Sequence, residues 1–136
     1  MRAFLDANVL FSAAYRVESP LLGLWAVQDV DVELVTSQYA VQEALTNLAH
    51  ETQQDRLIAL LRHVTVVTEA SPLQLGFNVD LPDKDRPILA AAVGVGATHL
   101  VTGDLTHFGR LFGRRIGDMV VLTPRMFLDL IRRRKE

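Results

Sequence analysis

Four carboxylates stand where they could do chemistry together: Asp6, Glu43, Asp85 and Asp104. Asp6 follows directly on the apolar run Ala3, Phe4 and Leu5, and Asp104 closes "HLVTG" in the same manner. In open α/β sheets the ligand crevice lies beyond the carboxyl ends of the strands, which gives both acids the same address. Glu43 falls about two turns into the helix that leaves the second predicted strand, close enough for its side chain to overhang that edge. Asp85 opens a helix with Pro87 in its first turn. A helix start beyond the sheet's lower edge would point elsewhere. Its place in the group therefore stays open on geometry alone, unless the irregular stretch before it carries the chain back over the crevice.

Carboxylates that converge resist ionisation unless a cation intervenes. Hard divalent ions answer this, since Mg²⁺ and Mn²⁺ take oxygen ligands and accept substrate phosphate beside one or two carboxylates. Such an ion activates water for in-line attack on phosphorus, alone or as one of a pair ~3.5–4 Å apart. No protein nucleophile is required. Each residue also has a plainer role. Asp6 with Asn8 suits an Asx-type turn, Glu43 a solvated helix face, and Asp85 with Asp83 a helix N-terminus. Ser37 reads first as an N-cap, Asn8 as a cap or turn residue, and Thr102 as cover for a strand end. His107 reads more readily as polar surface than as a proton carrier. His50, His63 and His99 show no metal-ligand spacing.

The elements that must position these groups alternate. After the first strand, Ser19 and Pro20 signal a helix through about Asp29. "VELVT" is a second strand, and Ser37 caps a helix to about Glu51. "QQDRLIALLRHV" is an amphipathic helix with Leu57, Leu60, Leu61 and Val64 on one face. "VTVVT" is a third strand. Pro72, Gly76, Asn78 and Pro82 mark irregular chain before a helix from Pro87 to Gly96. "HLVTG" and "MVVLT" give the fourth and fifth strands, and Pro124 opens a final helix into a basic tail. Strands alternating with helices imply right-handed crossovers and a mostly parallel sheet covered on both faces. The reading is one α/β domain over residues 1–136, without repeats or linkers.

Composition fits that reading. The chain has 136 residues, 49% of them hydrophobic and 22% charged, with a net charge of −2. A chain of this size can bury roughly two-thirds of its unfolded surface. Cysteine is absent, which removes disulfides and thiolate metal sites and favours a reducing compartment, the cytoplasm. Asp6 interrupts what would be a signal-peptide core. The apolar run Ile88 to Ala97 is about half of the ~20 residues a membrane span needs. Twelve of the fourteen basic residues are Arg. Three of them, Arg132, Arg133 and Arg134, precede Lys135, a cluster that suits either a helix C-terminus or RNA phosphate contacts.

In order and spacing, "FLDANVLFSA", "SQYAVQEAL", "LPDKDRPILAAAVGVGATHLVTGD" and "VVLTPRMFLDLI" resemble the PIN-domain family over essentially the whole chain, with Asp85 and Asp104 nineteen positions apart. The resemblance implies a three-layer α/β/α sandwich with a mostly parallel central sheet. It implies a Mg²⁺- or Mn²⁺-dependent ribonuclease similar to VapC-type toxins, with an antitoxin protein as partner and a homodimer as its assembly. It places Asp85 in the crevice and makes Asp6, Glu43, Asp85 and Asp104 the metal-binding acids, with Asn8, Ser37 and Thr102 in support. One departure is visible: where many members carry a further acid two residues after the last, "TGDLTHF" has Thr106 and then His107. Its "TGD" form also resembles one PIN subgroup in particular.

Two other α/β classes fit less well. A receiver-type signalling domain calls for paired acids after the first strand and a late Lys, and Lys84 and Lys135 are misplaced for it. A haloacid-dehalogenase-type phosphatase wants Asp where Asn8 stands. The remaining alternative is a non-catalytic PIN module that binds RNA or a protein.

Overall fold

The computed structural model describes residues 1–68 and 85–134. The irregular stretch expected from Ala70 to Asp83 lies outside the described residues, as do Lys84 and Lys135.

Strand β1 (Arg2–Leu5) is buried along Ala3, Phe4 and Leu5. The chain then turns at once into helix α1 (Ala7–Tyr15), which the sequence reading passed over. Asp6 is its N-cap: the backbone is extended there and the carboxylate accepts from the Ala7 amide, satisfying one orphan donor of the first turn. Val9, Leu10, Ala13 and Ala14 bury one face of α1. Its last carbonyls are taken from outside, because Arg56 donates to the oxygens of Ala14 and Tyr15 and Gln53 donates to that of Tyr15.

The helix expected from Ser19 to Asp29 is shorter. Ser19 caps a 3-10 turn, Pro20–Leu22, that leads into α2 (Gly23–Ala26). The helix stops because the Asp29 carboxylate accepts from the amides of Asp31 and Val32, reversing the chain into β2 (Glu33–Ser37). Ser37 caps α3 (Gln38–Asn47) through the Ala40 amide, as expected. Helix α3 ends at Asn47, short of the Glu51 expected, and the second expected helix, α4 (Glu51–Leu61), starts there with a His50–Gln53 capping box. Strand β3 (Thr65–Val67) follows.

After the undescribed segment, α5 (Arg86–Gly94) buries Ile88, Leu89 and Ala90–Ala92, the alanines being small enough to let a helix lie close to a sheet. Strand β4 (His99–Val101) leads to α6 (Leu105–Phe108), then to a two-residue β5 (Arg115–Ile116) turned at Gly117, whose φ of 62° favours glycine. Strand β6 (Met119–Leu122) and α7 (Pro124–Arg134) complete the described chain. Thr123 caps α7 by accepting from the Met126 amide.

The sheet order is β3-β2-β1-β4-β6-β5. All pairings are parallel except β5 with β6, and helices flank the sheet, which is the α/β architecture expected. Phe4 pairs with Val35 on one side and Leu100 on the other, placing β1 at the centre. No helix among the described residues is long and apolar enough to cross a membrane.

Candidate functional site

The carboxyl edge of the sheet collects the polar residues that the strands themselves exclude. Asp6 ends β1 and is 4% exposed. Its Oδ1 accepts from the Ala7 amide at 2.7 Å. Its Oδ2 accepts from the Thr102 hydroxyl at 2.8 Å and from Asn8 Nδ2 at 3.1 Å. Thr102, fully buried at the end of β4, also accepts from Asn8 Nδ2 and from the Asp104 amide. Asn8 closes the circuit by accepting from the Gly103 amide at 2.7 Å. A Cβ on Gly103 would stand 3.3 Å from that Asn8 oxygen, so the absence of a side chain admits the contact.

The Asp6 carboxyl is raised from its ordinary 3.8 to about 6: burial is the main cause, the hydrogen bonds from Thr102 and Ala7 pull against it, and the charges of Asp85 and Glu43 add to it. Those two acids are therefore close enough to oppose its ionisation. Asp6, Glu43, Asp85 and Asp104 all line one cavity of about 450 Å³, together with Asn8. The doubt over Asp85 resolves through chain direction. Helix α5 runs down into the start of β4, so in a parallel sheet its N-terminus lies at the carboxyl edge rather than below it.

Asp85, 9% exposed, occupies the N-cap position of α5. Asp104 caps α6 by accepting from the His107 amide at 3.0 Å. That short helix carries the His107 ring back over the site. Its Nδ1 stands 2.6 Å from Oδ2 of Asp85 and 2.8 Å from Oδ2 of Asp104. His107 is thus no surface residue: its side chain is 22% exposed and Nδ1 is buried. The distances suit charge-assisted bonds, yet Nδ1 makes no hydrogen bond of acceptable geometry among the described residues. Proximity without alignment leaves the three atoms crowded around a point.

Among the described residues, Asp85, Asp104 and His107 offer ligand atoms that all lie within 4.8 Å of one another, a spread that fits donors around one divalent ion. Asp6 and Glu43 share the cavity without joining that tighter group. The sequence reading also missed Phe11 and Asn47 on the cavity wall. Asn47 lies one helical turn after Glu43, a spacing that could have revealed it. Tyr39 lies in the field of the site: burial first, then the charges of Glu43, Asp85 and Asp6, push its phenol up. Ser37 serves α3 as its cap. Arg132, Arg133 and Arg134 are not brought to the cavity. Helix α7 leaves the carboxyl edge and spans about 16 Å, and Arg134 lines a separate pocket with Asp29 and Asp31 near the start of β2.

This arrangement defines an α/β protein with an acid-lined crevice at the carboxyl edge of a parallel sheet. Its residues 2–106 match the PIN domain family, and the chain belongs to that family. No curated protein matches it in sequence. In fold it is similar to VapBC2 of Rickettsia felis, solved with a promoter DNA fragment, at a TM-score of 0.65 and 16% identity over 90% of this chain and 98% of the other. It is similar to VapBC-1 of nontypeable Haemophilus influenzae at 0.62 and 17%, over 92% and 99%. Mycobacterium tuberculosis VapC20, described as a sarcin-ricin loop cleaving toxin, matches at 0.54 and 16%, over 76% and 91%.

Proposed function

We propose that this protein is a metal-dependent endoribonuclease and the toxin of a toxin–antitoxin pair. The observation that carries the reading is the gathering of Asp6, Glu43, Asp85 and Asp104 about one cavity at the end of the sheet. Residues 1–136 act as one PIN domain, working as a homodimer whose activity an antitoxin protein restrains. The VapBC and VapC20 likenesses support this assignment of partner and substrate class.

Asp85 and Asp104 would hold a Mg²⁺ or Mn²⁺ ion, with Asp6 and Glu43 completing its negative surroundings. The ion, when bound, supplies an activated water and stabilises charge on the phosphate oxygens. The protein's own groups do the rest. Thr102 and Asn8 fix the Asp6 carboxylate in one orientation, so that a charge buried at a cost faces the cavity. Glu43, on a longer side chain one helix away, accepts a proton from the attacking water or positions it.

The test is cleavage of labelled single-stranded RNA by wild type, Glu43→Gln and Asp6→Asn, with Mn²⁺, Mg²⁺ or EDTA. Metal-dependent cleavage by wild type, lost in both variants, is the expected result. Folded, metal-binding protein that cleaves none of a broad RNA panel would leave the non-catalytic binding module in its place.

A further inference from the structure

The His107 ring is the feature the acidic set does not account for. It follows directly on Thr106, the position that lacks the further acid in "TGDLTHF", and α6 brings its Nδ1 within 2.6 and 2.8 Å of two carboxylate oxygens. Neighbouring ligands of an octahedral ion with bonds of about 2.1 Å stand about 3 Å apart. Nδ1 already stands at nearly that spacing from each of the two oxygens, and the ligand atoms of the group lie within 4.8 Å of one another. Nδ1 is buried and makes no aligned hydrogen bond among the described residues; what it faces is the two carboxylate oxygens themselves. The Asp104 carboxylate that caps α6 through the His107 amide also faces the His107 ring, so one turn of backbone sets both donors.

We infer that His107 is a nitrogen ligand of the metal site and that it makes this site select a divalent transition-metal ion, such as Mn²⁺, over Mg²⁺. The inference rests on the metal-dependent reading above and names the ion that reading left open. The chemistry is direct. Mg²⁺ is a hard ion that prefers oxygen and surrenders its waters reluctantly, whereas first-row transition ions accept imidazole nitrogen, Mn²⁺ less strongly than Fe²⁺ or Co²⁺. Exchanging one oxygen donor for a ring nitrogen weakens the first and favours the second.

The experiment is calorimetric titration of intact wild type, His107→Gln and His107→Asp with Mn²⁺ and separately with Mg²⁺, joined to pulsed EPR of the Mn²⁺-loaded proteins. Wild type should bind Mn²⁺ at least about tenfold more tightly than Mg²⁺ and show coupling from a directly bound ¹⁴N. His107→Gln should lose the ¹⁴N coupling and most of the preference. His107→Asp should regain Mg²⁺ binding by restoring an oxygen. A wild-type spectrum without ligand ¹⁴N coupling overturns the inference, even where a variant fails to fold. So does an unchanged Mn²⁺-to-Mg²⁺ ratio in His107→Gln. If the inference fails while wild type binds both ions and cleaves RNA, the ribonuclease reading stands. If wild type binds neither ion, both fall.

Discussion

The Thr102 hydroxyl donates to Oδ2 of Asp6 across 2.8 Å, joining two residues 96 positions apart in the chain. The Thr102 hydroxyl oxygen in turn accepts from Asn8 and from the Asp104 amide, so it organises both halves of the site. Thr102→Val keeps the shape and leaves three polar partners, buried or half-buried, short of a bond. It should cost about 1–3 kcal/mol of stability, and Thr102→Ser should recover most of that. Denaturant unfolding of the two variants checks this; a Val variant as stable as wild type would refute the role.

The buried acid gives the metal-free protein a definite pH response. Asp6 titrates near 6 in the fold against 3.8 ordinarily, so between those values the native state holds a proton the unfolded chain has released. Its contribution is fully present below about pH 4 and is lost as pH rises through 6. Relative to Asp6→Asn, wild type in chelator should lose about 2 kcal/mol between about pH 4.5 and 7.5. A difference that stays flat across that range, or changes in the opposite sense, would show that Asp6 is not so burdened.

A divalent ion that binds only the folded state should reverse this loss. At a free concentration about 100 times its Kd it should add about 2.7 kcal/mol to wild type. Asp104→Asn removes a charged ligand and should abolish most of the gain. Thermal melts with and without Mn²⁺ measure it, and an equal shift in wild type and variant would assign the effect to some other site.

The basic end of α7 lies away from the cavity, so its contribution should depend on RNA length. Replacing Arg132, Arg133 and Arg134 with Gln should weaken binding of long RNA and flatten its salt dependence. Cleavage of a dinucleotide should change less than twofold, because a single phosphodiester held in the cavity does not extend the about 16 Å of α7. A large loss with the short substrate would put these arginines beside the scissile bond.

The central strands were legible because strands buried on both faces read as apolar runs, and Ser37 announced its helix by residue type. Helix α1 escaped notice because Asp6 drew attention as an acid, although an Asp before an apolar run is also a capping signal. The two-residue β5 carries too little pattern to read. Asp6 and Asp104 could be placed from the strand-end rule, and Glu43 from its distance along the helix that leaves the second strand. Asp85 needed the family resemblance, since the geometric argument assigned the start of α5 to the wrong edge of the sheet. His107 was hidden for a different reason: one of its two acidic neighbours is 22 positions upstream, and only the turn of α6 brings them together.

Asp6 caps α1 with one carboxylate oxygen and receives Thr102 and Asn8 on the other. Its rotamer freedom is therefore surrendered when the chain folds, not when a ligand arrives. A cation or phosphodiester entering the cavity meets one wall that needs no ordering. Glu43, on a longer and partly exposed side chain, lines the cavity beside it.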